Sequence, residues 1–126
     1  MIESVSTTDA PPPAGPYSQG LAVGGLVFLS GQGPFDENGN RVGETFADQV
    51  RRTFENLETV AQAAGSSLSN AVRYGVYLKS LDDFAEFNAI AAEYLTAPLP
   101  ARTTIEAALR GFDIEIDAIV ALPADA

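Results

Sequence analysis

Residues 21–32, LAVGGLVFLSGQ, contain two short apolar runs joined by Gly24 and Gly25. Adjacent glycines supply the positive φ angles of a primed two-residue turn, so the runs are expected to fold back on each other as a tight antiparallel hairpin. On the second run Leu26 and Phe28 share one face while Val27 and Leu29 share the other, which makes both faces apolar. A sheet built on such a strand needs cover on both sides.

The rest of the chain supplies cover for one side. Phe46, Val50, Phe54, Leu57, Val60, Ala61 and Ala64 recur at three- and four-residue spacing, which predicts an amphipathic helix capped by Thr45 and ended at Gly65. AVRYGVYLKS, residues 71–80, reads as a strand. Ser80, with Asp83 three positions later, opens a second helix expected to run to about Tyr94 or Leu95, where APLPA stops it. RTTIEAAL and FDIEIDAIVAL close the chain as two strands. The order is ββαβαββ, an α+β domain with two helices on one face of a mixed sheet. Residues 1–13 read as a polar, proline-rich lead-in to this single domain of 1–126. The second apolar sheet face is expected to be buried against further copies of the chain.

Composition narrows the function classes. The chain has no cysteine and no histidine, which removes thiolate chemistry and the commonest general base and metal ligand. Acid–base work therefore falls to Asp, Glu, Tyr, Lys or backbone. Seventeen acids against seven cations give a net charge of −10, which repels phosphate backbones and anionic lipid, so neither nucleic acid nor membrane is an expected partner. The N-terminus lacks the basic and apolar regions of a secretory peptide, and a cytoplasmic location is expected.

Against that charge, Arg102 stands out. It follows Pro100, and alternation places Arg102, Thr104 and Glu106 on one strand face, read as polar, with Thr103, Ile105 and Ala107 on the other, read as structural. Arg102 either pairs with one of the many acids or offers a planar fork to a ligand carboxylate. Glu115 shares a face with Asp117; it is a solvated charge or, if enclosed, a carboxyl suited to proton transfer. Asn88 falls in the apolar stripe of the second helix and either ties that helix to a loop or faces a pocket. Tyr17 and Ser30 are weaker signals, as fitting for packing as for chemistry.

GPYSQG, FLSGQGPFD, the run from FENL through AAGSSLSNAVRYGVYLKSLDDFAEFN, and PLPARTTIE with IEID occur in order between about Ala14 and Val120. Together they resemble the RidA/YjgF family of enamine and imine deaminases, also described as translation inhibitors or L-PSP endoribonucleases. The resemblance implies a chorismate-mutase-like fold assembled as a homotrimer, with pockets between subunits and no cofactor. It implies that Arg102 clamps the carboxylate of a small 2-imino or 2-enamino acid, such as 2-aminoacrylate or 2-iminobutanoate. Tyr17, Ser30, Gly31, Asn88 and Glu115 would line the same pocket, with the backbone at Thr104 completing it. Position 104 is threonine where many members carry cysteine. The connection ALRGFDIE is shorter than the family's usual one and lacks its Leu-Pro step, implying a tightened loop ahead of Glu115. The competing reading is a non-catalytic trimer that binds small carboxylates; an endoribonuclease comes third.

Overall fold

The computed structural model describes residues 1–124. Six strands form one sheet: β1 (Glu3–Val5), β2 (Gly20–Val23), β3 (Leu26–Gln32), β4 (Ala71–Leu78), β5 (Ala101–Glu106) and β6 (Ile114–Ala121), in the spatial order β1-β2-β3-β6-β4-β5. Every neighbouring pair is antiparallel except β4 with β5, so the sheet is mixed. Two helices, α1 (Phe46–Ala63) and α2 (Phe84–Ala91), join the sheet to make the expected α+β architecture. No helix among the described residues is long and apolar enough to cross a membrane.

Local chemistry accounts for the elements. Gly24 and Gly25 take φ of 60° and 81°, the conformation a primed hairpin turn demands. Thr45 caps α1 by accepting the Asp48 N–H at 3.1 Å, and Gly65, at φ 84°, releases the chain at its end. Removing the cap by Thr45→Ala is expected to cost about 1 kcal/mol, a fall in melting temperature of about 4–8 °C at most, read by thermal denaturation.

The core lies between the helices and one face of the sheet. Val50, Phe54, Leu57 and Val60 of α1 and Phe87 of α2 bury against Val27, Val76, Leu78, Ile114 and Ile116. Phe54 stacks on Phe87 and on Tyr94, with centroids 6.1 and 4.8 Å apart, which locks the two helices together. On the opposite face, Leu21 and Ile119 flank Phe28 in register across β2, β3 and β6. Phe28 remains 42% exposed and Ile105, on β5, 47%. This apolar face has no cover among the described residues of one chain.

Three expectations are corrected. Residues 1–13 contain strand β1, so the order is βββαβαββ; three residues carry too little alternation to be read from sequence, and pairing with β2 fixes them. The second helix is shorter than Ser80 to Tyr94. The Ser80 hydroxyl accepts from Asp82 N–H and closes a 3₁₀ turn over Leu81–Asp83 instead, and Asp83 makes no capping bond. The faces of β5 are also the reverse of the expectation. Arg102 and Thr104 register with Tyr74 and Val76 on the helix side, whereas Ile105 lies on the uncovered face.

Candidate functional site

Arg102 sits on the edge strand β5, in register with Tyr74. Its side chain reaches α2, where Nη1 donates to Asn88 Oδ1 at 2.6 Å. The guanidinium carbon lies 5.4 Å from the centroid of Phe84 and 5.9 Å from that of Phe87. Asn88 and the two rings hold the plane of the guanidinium while most of its five donors remain available. Among the described residues no carboxylate pairs with Arg102, nor with Arg41, Lys79 or Arg110, whereas Arg51, Arg52 and Arg73 each face one. Asn88 ties its helix to β5 and also lines a cavity of about 300 Å³ with Tyr74, Leu95, Leu99 and Arg102.

Glu115 lies on the other side of the sheet. It is in register with Tyr77 on the central strand β6, between the buried Ile114 and Ile116. The register of β3 shifts between Leu29 and Gln32, a bulge at Ser30 and Gly31 of the kind that re-aims side chains at sites. A Cβ at Gly31 would fall 2.5 Å from Glu115 Oε2, so glycine is what lets the carboxyl approach the strand. Burial, and secondarily the charge of Asp117, pushes the Glu115 carboxyl above the usual carboxylate range. Asp117 itself accepts from the Tyr77 hydroxyl and the Gly75 N–H, both at 3.0 Å, and that hydroxyl contact raises the Tyr77 pKa.

A cavity of about 280 Å³ opens at Glu115, lined by Tyr17, Gly31, Phe35, Phe112 and the Pro11–Pro13 run. Tyr17 is 49% exposed, and its hydroxyl accepts from the Ala14 N–H at 2.9 Å. The buried Gln19 anchors this segment by accepting from Thr7 N–H at 2.7 Å and donating to the carbonyls of Thr7 and Pro11. Ser30 uses its hydroxyl to donate to the Ser18 carbonyl and lines an adjacent shallow pocket with Tyr17, Leu21 and Phe28. Thr104 shares the helix-side face with Arg102, and its Oγ1 is buried without a partner.

The seven residues singled out in the sequence thus fall into groups. Arg102 and Asn88 touch; Glu115, Gly31 and Tyr17 share a second cavity beside Ser30; Thr104 stands behind Arg102. The two charged groups face opposite sides of the sheet in one chain. Residues not singled out, Gln19, Gln49 and Asn56, organise the loops around Glu115. Gln49, Thr53 and Asn56 recur at four- and three-residue spacing along the buried side of α1, a polar edge to the apolar stripe that marks them in retrospect.

Residues 7–122 match the family model described as Endoribonuclease L-PSP. The chain is 41% identical over 125 residues to a RutC family protein, y4sK, of Sinorhizobium fredii, covering 97% of this chain and 99% of that one. It is 36% identical over 120 residues to the 2-iminobutanoate/2-iminopropanoate deaminase of Salmonella typhimurium, covering 93% and 94%. The crystal structure of RidA from an Antarctic Psychrobacter superposes with a TM-score of 0.89 at 36% identity, over 95% of this chain and 99% of that one.

Proposed function

The chain belongs to the endoribonuclease L-PSP family, the RidA/YjgF family, and from that membership we propose that it hydrolyses small 2-imino and 2-enamino acids to 2-keto acids and ammonia. The observation that carries this reading is the Arg102 guanidinium, steadied by Asn88, Phe84 and Phe87 and without an acidic partner among the described residues of a chain with net charge −10. A guanidinium braced in one orientation with most of its donors free is suited to receive a carboxylate from a ligand.

The chemistry asks little of the protein. The enamine takes a proton on its β-carbon to give the iminium; water adds to the C=N carbon as the Glu115 carboxylate accepts its proton; the carboxyl returns that proton to nitrogen, and ammonia leaves as the hydroxyl proton is lost and the C=O forms. Arg102 holds the substrate carboxylate, Glu115 manages the water, and Tyr17 and Ser30 supply hydrogen bonds nearby, with the Gly31 and Thr104 backbones as polar lining. No cofactor takes part. Because the two charged groups lie on opposite sheet faces, the complete site joins Arg102 of one copy to Glu115 of another, within a homotrimer whose contacts cover Phe28 and Leu21. A cytoplasmic setting belongs to the same reading.

Coupled turnover tests it. A dehydratase acting on serine or threonine generates 2-aminoacrylate or 2-iminobutanoate, and this protein is expected to accelerate keto-acid release. Binding of 2-oxobutanoate without acceleration would leave a carboxylate-binding module instead. An acidic chain without histidine has less to offer RNA cleavage. Gly31→Ala is expected to displace the Glu115 carboxyl and lower kcat about 10- to 100-fold, since a misplacement of about 1 Å suffices for that. Steady-state kinetics on the folded variant reads the effect.

A further inference from the structure

The walls of the Glu115 cavity are loops, and their shape needs an explanation. Phe35 belongs to the connection from β3 to α1, and Phe112 to the connection from β5 to β6. Their rings meet edge to face with centroids 5.1 Å apart. Among the described residues, backbone pairing in these connections is sparse and includes the bridge between Phe35 and Arg41, the turn bond from Phe35 N–H to the Gly33 carbonyl, and the bonds from Lys79 N–H to the Asp113 carbonyl and from Ala107 N–H to the Leu78 carbonyl.

Two carboxamides on α1 do the holding. Asn56, 2% exposed, donates through Nδ2 to the carbonyls of Gly33 at 3.0 Å and Phe35 at 2.8 Å. Its Oδ1 accepts from Arg52 Nε, which also donates to the Phe35 carbonyl, both at 3.2 Å. Gln49, 3% exposed, accepts the Asp113 N–H at 2.8 Å through Oε1, two residues before Glu115. One wall is therefore pinned by Asn56 and the other by Gln49, seven residues apart on one helix.

We infer that Gln49 and Asn56 are positioning residues, which set the cavity around Glu115 by fixing the Gly33–Phe35 and Phe112–Asp113 backbones from the core side. This deepens the proposed function and rests on it for its catalytic consequence. A buried carboxamide suits the task because it meets backbone groups that lie outside the ladder: Gln49 pairs the Asp113 N–H, which would be costly to leave unpaired, and Asn56 adds a tie to α1 for the Gly33 and Phe35 carbonyls, which also accept from Phe35 N–H and Arg52 Nε. Core packing alone asks for an apolar side chain at both positions.

The test compares the parent with Gln49→Met, which keeps length and removes the acceptor, Asn56→Ala, and Ser66→Ala as a control. Ser66 is buried near the far end of α1, where its hydroxyl donates to the Ala121 carbonyl. The readouts are carbon-13 NMR titration of the Glu115 carboxyl and the pH dependence of kcat. The groups facing Glu115 are Asp117 on its own strand, Tyr77 on β4 and Tyr17 on the N-terminal segment, with Arg73 of β4 lying against Asp117; none changes in these variants. Expected is a fall of the Glu115 midpoint towards the ordinary value of about 4.3 in both α1 variants as water enters, with kcat reduced about tenfold, and no shift in Ser66→Ala. Parental midpoints in folded Gln49→Met would overturn the inference, as would a shift of the same size in the control. If Asn56→Ala does not fold, Gln49→Met decides alone. If the parent turns over no imine, the proposed function fails, while the titration still decides the positioning role.

Discussion

Replacing Arg102 with lysine is expected to lower kcat/KM for 2-iminobutanoate about 100-fold, mainly through KM, with little change in melting temperature. Lysine keeps the charge and loses the geometry. Its ammonium cannot present two parallel donors to one carboxylate, nor spread flat over Phe84 and Phe87 while donating to Asn88. A hydrogen bond to a charged group contributes about 1.5–3 kcal/mol, which corresponds to about 10- to 150-fold in rate or affinity. Arg102 is exposed on an edge strand, so the loss to folding is expected to stay below about 1 kcal/mol. Steady-state kinetics beside thermal melts separates the two effects. Unchanged kcat/KM would remove Arg102 from the site.

Glu115→Gln is expected to have the larger effect and the opposite kinetic signature. General acid–base help contributes about 10²–10⁴-fold, and its loss should appear in kcat, with KM nearly unchanged because Arg102 still holds the carboxylate. The pH profile carries the sign. Burial keeps Glu115 protonated to higher pH than an ordinary carboxyl, so its base form, and with it kcat, rises as pH climbs through that elevated pKa. The glutamine variant should lose this limb. Stability runs the other way: a carboxyl whose pKa is raised by folding favours the folded state below that pKa and less so as pH rises through it. The parent should therefore lose a stability increment over that window that the glutamine variant does not lose. A profile unchanged in shape between the two proteins would place the base elsewhere.

These effects turn on features that differ in how visible they are in sequence. The hairpin was legible because Gly24-Gly25 is chemistry local to four residues, and α1 because its stripe, its Thr45 cap and Gly65 agree. β1 was not, since three residues take their strand conformation from β2 rather than from their own pattern. The length of α2 was set by a competition that Ser80 settles in favour of a tighter turn. Alternation correctly grouped Arg102 with Thr104 and Glu115 with Asp117, because parity along a strand is a local property. Which face the helices cover is not, and that choice decides that Arg102 points to one side of the sheet and Glu115 to the other. The buried carboxamides escaped because Gln and Asn usually mark surface; only the contacts to Gly33, Phe35 and Asp113 show their use.

The claim at the centre is that one working site takes its guanidinium and its carboxyl from different copies of the chain. Mixing Arg102→Ala and Glu115→Gln chains, each inactive alone, by joint unfolding and refolding tests it. In a randomly assembled ring each interface pairs an intact Arg102 with an intact Glu115 about one time in four, so the mixture is expected to recover about a quarter of parental deaminase turnover. A mixture that assembles yet stays as inactive as its separate components would show that no such shared site exists.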